Sequence, residues 1–93
     1  MLRITCDEND SKVLLKLEGR LVGPWVEELR MRVLQLRPMQ VALEVDITDL
    51  SFADDEGEQA LLWLFKLGSQ FRGSGVYARY LCESLGIRSS LAY

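Results

Sequence analysis

Carboxylates crowd one stretch of this chain. Between Asp46 and Glu58 it reads DITDLSFADDEGE, which brings Asp46, Asp49, Asp54, Asp55, Glu56 and Glu58 into one short segment. Oxygen-rich clusters hold hard divalent cations when the ligands recur at set spacings, and Asp46, Asp49, Asp54 and Asp55 are the candidates. No EF-hand spacing or catalytic metal motif organises them, so no metal or cofactor is expected. Acids at a helix start have a simpler use. They accept from free N–H groups and complement the helix dipole, at ~0.5–2 kcal/mol each. Ser51 adds a hydroxyl, but a nucleophile needs an adjacent base. The chain has no histidine, which removes triads, imidazole general bases and His-ligated metals. Ser51 then reads as a turn residue. Cys6 and Cys82 lie near opposite ends of the chain without metal-ligand spacing, as two semi-buried reduced thiols do. Gly57, in the first turn of a helix, marks tight packing or a close approach to the backbone.

Composition bounds what can carry this segment. The chain has 93 residues, which predicts a single domain over 1–93, and 48% of them are hydrophobic, enough for one core. Eleven basic residues are scattered against fourteen acidic ones, the net charge is −3 and the pI is about 4.9. A nucleic-acid partner would need a basic stripe, so none is expected. The N-terminal MLRITCDEND lacks the apolar core of a secretory leader. The run Ala60 to Phe65 falls far short of the roughly 18 residues of a membrane span. A cytoplasmic location follows as the default expectation.

The flanking elements can be read in order. Leu2 to Cys6 and Lys12 to Glu18 are strand-like around the polar turn DENDS, so they predict a hairpin. Val13, Leu15 and Leu17 share one face, which predicts a sheet covered mainly on one side. Gly23-Pro24 opens a helix with Val26, Leu29, Val33 and Leu36 at core spacing, ended by Arg37-Pro38. Val41 to Ile47 is a strand. The acidic loop Asp49 to Glu58 follows, and then a helix over 55–72 with Ala60, Leu61, Leu64, Leu67, Gly68 and Phe71 in one arc. Leu62 and Trp63 fall outside that arc. Together with Glu58 they are candidates for an exposed contact surface. Gly73-Ser74-Gly75 breaks the helix, Val76 to Leu85 predicts another that ends at Gly86, and Arg88 to Tyr93 has no clear pattern.

The segment Asp46 to Gly57 resembles the signature of STAS domains, the anti-sigma-factor-antagonist fold. In that signature a strand ending in Asp or Asn leads, through an aliphatic and an aromatic residue, to Asp-Ser-Ser/Thr-Gly at a helix start. Asp46, Leu50, Phe52, Asp54 and Gly57 occupy those places. Leu17-Glu18-Gly19 is similar to the family's Leu-x-Gly, and Leu81 to Ile87 to the end of its final helix. The resemblance covers roughly Val13 to Ile87. It implies an α/β fold, a small mixed sheet with helices packed mainly on one face. The segment from Gly73 to Gly86 is shorter than usual, so the last strand is expected to be short or missing. The serine that partner kinases phosphorylate falls at Asp55, followed by Glu56. This identifies a divergent member without the phosphorylatable serine, whose fixed carboxylate imitates a phosphate only in part.

The function implied is a non-enzymatic regulatory module. It would dock a basic protein surface through Asp49, Ser51, Asp54, Asp55, Glu56 and Gly57, with Glu58, Leu62 and Trp63 as a partner or dimer surface. The implied partners are an anti-sigma-factor kinase, a sensory complex or a transporter's ATPase. Two other readings stay open. One is a ligand module for a nucleotide or lipid, although an acidic loop disfavours free phosphates. The other is a structural homodimer joined through Leu62 and Trp63.

Overall fold

The computed structural model describes residues 1–8, 12–36, 42–87 and 89–92. Two antiparallel strands open the chain, β1 (Leu2–Glu8) and β2 (Lys12–Leu21), in a continuous register from Leu2↔Gly19 to Glu8↔Val13. Helix α1 (Pro24–Leu36) returns the chain to β3 (Ala42–Asp46), which lies parallel to β2. A turn leads into β4 (Leu50–Ala53), α2 (Asp55–Lys66), β5 (Gln70–Ser74), α3 (Val76–Leu85) and β6 (Ser89–Ala92). The six-stranded sheet runs β1-β2-β3-β5-β6, with β4 pairing β2.

Residue alternation decides which face is covered. Val13, Leu15 and Leu17 on β2 are at most 1% exposed and join Val45, Ile47 and Phe71 in a core closed by Val26, Leu29 and Val33 of α1, Ala60, Leu61 and Leu64 of α2, and Ala78 and Leu81 of α3. The opposite face carries Lys16, Asp46 and Arg72 in one row across three strands and Glu44 in the next. This is the one-sided mixed α/β sheet that the sequence predicts. Asp7 and Glu8, expected in the polar turn, instead continue β1 because they pair with Leu14 and Val13. Residues 9–11 of that turn, the Arg37-Pro38 stop, the start of the strand at Val41 and the side chain of Leu36 lie outside the described residues.

Two further segments differ from the sequence reading. Helix α2 ends at Lys66, not 72. Gly68, at φ +96°, donates to the Phe65 carbonyl while Ser69 donates to that of Leu64, a paired closure that only a left-handed residue permits cheaply. Phe71 then belongs to β5, where it is 2% exposed between β3 and β6. Second, residues 50–53 form β4 rather than loop, because they pair in parallel with Gly19–Leu21 across a register shift at Gly19/Arg20. β3 and β4 thus line the same side of β2 in succession. The last strand, expected to be short or missing, is short: β6 pairs four residues with β5, from Phe71↔Ser89 to Ser74↔Ala92.

On the open face, Glu44 sits between two cations. Arg72 Nη1 donates at 3.0 Å to one carboxylate oxygen and Lys12 Nζ at 3.3 Å to the other. The Arg72 hydrogen bond, helped by Lys12 and opposed by partial burial, holds the Glu44 carboxyl below its ordinary value of 4.5. A carboxyl depressed in the folded state contributes stability above its unfolded pKa and loses it as pH falls through the folded one. Unfolding free energy is therefore expected to decline as pH drops below about 4.5, and Glu44→Gln should flatten that decline. Urea titrations at a series of acidic pH values check it.

Candidate functional site

Three parallel strands point their C-terminal ends at one edge of the sheet. β2 feeds α1 at Gly23-Pro24, β4 feeds α2 at Asp54-Asp55, and β5 feeds α3 at Gly75-Val76. In open α/β sheets this is the edge where function gathers, since the helix starts present free N–H groups there. Asp54 joins two of the three. Its Oδ1 accepts from the Gly57 N–H at 2.8 Å and caps α2, while Oδ2 accepts from the Gly23 N–H at 3.2 Å beside the start of α1. The Asp54 N–H in turn donates to the Leu21 carbonyl. The third helix is tied in by Tyr77, whose hydroxyl accepts from the Ala53 N–H at 2.8 Å. Burial first, and the nearby Glu58 carboxylate in addition, push the Tyr77 hydroxyl above its ordinary pKa, against the lowering effect of the Ala53 bond.

Gly57 completes the junction. A Cβ there would run into the Leu21 carbonyl oxygen, with Leu21 Cγ at 3.1 Å and Ala53 Cβ at 3.2 Å. The close approach expected from this glycine is therefore internal: the first turn of α2 packs onto the end of β2. What remains outside is Asp55 and Glu56, both exposed, in the first turn of a helix whose dipole favours them. Neither makes an ion pair among the described residues. They border a groove of about 400 Å³ between α1 and α2, whose other walls are Val26, Glu27, Arg30 and Gln59.

The acidic segment divides in two. Asp49 lies at the opposite end of β4 from Asp54, about 16 Å away at ~3.3 Å per strand residue. It pairs with Lys16 Nζ at 3.3 Å. Asp46 accepts from the Thr48 N–H at 2.9 Å and lies 3.9 Å from Arg72. Asp46, Asp49, Asp54 and Asp55 are thus not brought together, and no three such side chains converge on a metal position among the described residues. Ser51 is exposed on β4, not in a turn, and its hydroxyl donates to the Gly19 carbonyl at 2.8 Å. Glu58 is half-buried near Tyr77.

Leu62 and Trp63 are half-buried against the core rather than exposed. A helical wheel shows only one helix's own core arc. Here α1 covers the flank of α2, and the Arg30 guanidinium lies 5.8 Å from the Trp63 ring centroid with its Nε buried and without a hydrogen-bond partner. The exposed apolar residues near the strand-end edge are instead Phe52, under the Arg20 guanidinium at 5.2 Å, and Val76 and Tyr80 on α3. The two cysteines also differ from their expected half-burial: both are free, Cys6 exposed and Cys82 buried. Glu27, Arg30 and Tyr77 escaped the sequence reading. The two strand-to-helix junctions at Gly23 and Asp54 were the available signal for the first two. Nothing local marks Tyr77.

Solved structures with this architecture place the fold. The chain superposes on the anti-sigma factor antagonist SpoIIAA in its unphosphorylated form with a TM-score of 0.69 and 16% identity, over 98% of this chain and 88% of that one. A SpoIIAA-like protein of the DUF3478 family from Shewanella loihica gives 0.65 and 16% over 98% and 84% of the two chains. A structure of Mglu matches 96% of this chain with 19% of its own length, at a TM-score of 0.58 and 16% identity. The chain has the SpoIIAA-like fold. No family model matches the sequence, and no curated protein does. No described helix is long and apolar enough to cross a membrane.

Proposed function

We propose that this chain is a non-enzymatic regulatory interaction module that docks a protein partner through the start of α2. The observation that carries the reading is Asp54. By bonding the starts of both α1 and α2, it fixes Asp55 and Glu56 outward on a rigid edge without intramolecular ion pairs among the described residues. Fixed, unpaired charge of one sign steers and orients a partner of the other sign. The partner surface is therefore basic. A SpoIIAA-like fold favours a partner such as an anti-sigma-factor kinase, a sensory complex or a transporter's ATPase. Asp55 offers no hydroxyl to a serine/threonine kinase, so the docking surface carries permanent charge where a switchable serine would stand. Ser51, Gly57 and Glu58 support the surface: Ser51 ties β4 to β2, Gly57 seats the helix, and Glu58 flanks Tyr77.

Two substitutions test this. Asp55→Lys should abolish capture of the cognate partner, while Asp55→Ser should weaken its dependence on salt. Both should leave the melting temperature within a few degrees, because Asp54 and not Asp55 caps the helix. Capture unchanged by Asp55→Lys contradicts the reading.

A further inference from the structure

Strand β1 ends the sheet, and nothing among the described residues pairs with its outer edge. The Met1 carbonyl accepts from the Arg20 N–H on the β2 side. Backbone groups alternate along a strand, so Arg3, Thr5 and Asp7 exchange their bonds with β2. Leu2, Ile4, Cys6 and Glu8 present N–H and C=O outward. Side chains alternate as well. Arg3, Thr5 and Asp7 lie opposite Glu18, Lys16 and Leu14 of β2, on the face away from the helices, and all three are exposed. Arg3 and Asp7 make no ion pair among the described residues. Sheet edges that avoid pairing are shortened, bulged, broken by proline or lined with repelling charge, lysine above all. This one runs seven residues in unbroken register without proline.

We infer that β1 pairs antiparallel with β1 of a second copy about a two-fold axis at Thr5, to make one continuous sheet across a homodimer. The charge pattern selects that register. Outward bonding requires even-numbered residues to pair with even-numbered ones, so the axis falls at Ile4, Thr5 or Cys6. An axis at Ile4 sets Arg3 against Thr5 of the second copy, and one at Cys6 sets Asp7 against Thr5. Only the axis at Thr5 sets each Arg3 opposite the Asp7 of its mate, twice by symmetry. Those positions are non-hydrogen-bonded, where Cα atoms stand about 4.5 Å apart and opposite charges attract across the strands. Ile4 then faces Cys6 of the second copy, and Leu2 faces Glu8. The arrangement is isologous and closes on itself, so it ends at two copies. The paired edge is β1, which β2 separates from the β4–α2 junction that carries Asp55 and Glu56.

Light scattering on the full chain across a concentration series should show a mass approaching twice the 10.6 kDa monomer. Arg3→Asp alone should weaken dimerisation on the order of tenfold, and Asp7→Arg alone likewise, by turning two attractions into repulsions. The double exchange Arg3→Asp/Asp7→Arg should restore it. That rescue separates lost pairing from lost folding. Thr5→Cys in a Cys6→Ser background places two thiols across the axis within disulfide range and should give a covalent dimer under mild oxidation. A monomer at every concentration overturns the inference. So does a dimer dissociated by Trp63→Glu but indifferent to Arg3→Asp.

Discussion

Gly57→Ala is expected to destabilise the domain by about 2–3 kcal/mol, the cost of forcing an atom into a packed contact. In a domain of this size that lowers the melting temperature by roughly 10–20 °C. The sign is the informative part. In an exposed helix the same change stabilises by about 1 kcal/mol, because alanine loses less backbone freedom than glycine. At Gly57 the new Cβ meets the Leu21 carbonyl, a backbone atom already receiving the Asp54 N–H. It cannot swing aside without opening the junction of β2, β4 and α2. Calorimetry on the variant checks this, with exposed Gln59→Ala as a comparison expected to stay near the wild type.

The second large effect falls on Asp54. Asp54→Ala removes the cap of α2 and leaves the Gly23 N–H without its acceptor, for a combined loss of about 2 kcal/mol. Two further variants separate the bonds. Asn offers one carbonyl oxygen where the carboxylate offers two, so Asp54→Asn can serve Gly57 or Gly23 but not both. Ser is too short to reach Gly23 and can only cap. Both variants should recover about half of the loss, and urea unfolding at neutral pH measures all three. Partner capture should fall with Asp54→Ala even at temperatures where the domain stays folded, since Asp55 and Glu56 then lose their fixed position.

The fold was legible where its signals are local. The alternation of Val13, Leu15 and Leu17 marks β2, the Gly23-Pro24 start marks α1, and Gly86 marks the end of α3. Two strands were not legible. β4 is four residues long with its two middle positions exposed, so no period of two appears, and it is held by parallel pairing with Gly19–Leu21, distant in sequence. β5 was hidden because Phe71 continues the apolar arc of α2. The backbone at Gly68 breaks that helix, and side-chain periodicity does not register such a break.

The same distinction runs through the site. Asp54 and Gly57 stand out in the sequence as a cap and a close-packed glycine, and both act as such. That Asp49 belongs to another surface follows only from β4 being extended, which separates two acids that look adjacent in sequence. Trp63 looked exposed because the covering group, Arg30, comes from α1. Tyr77 reaches Ala53 through tertiary packing alone.

The docking claim is tested most directly by backbone hydrogen exchange on the chain, free and bound to its cognate partner. Protection on binding should concentrate over residues 54–59 and the start of α1, around Gly23 and Glu27, while β1 and the open sheet face exchange as before. Protection confined to other surfaces, with the amides of Asp55 and Glu56 unchanged, would contradict it.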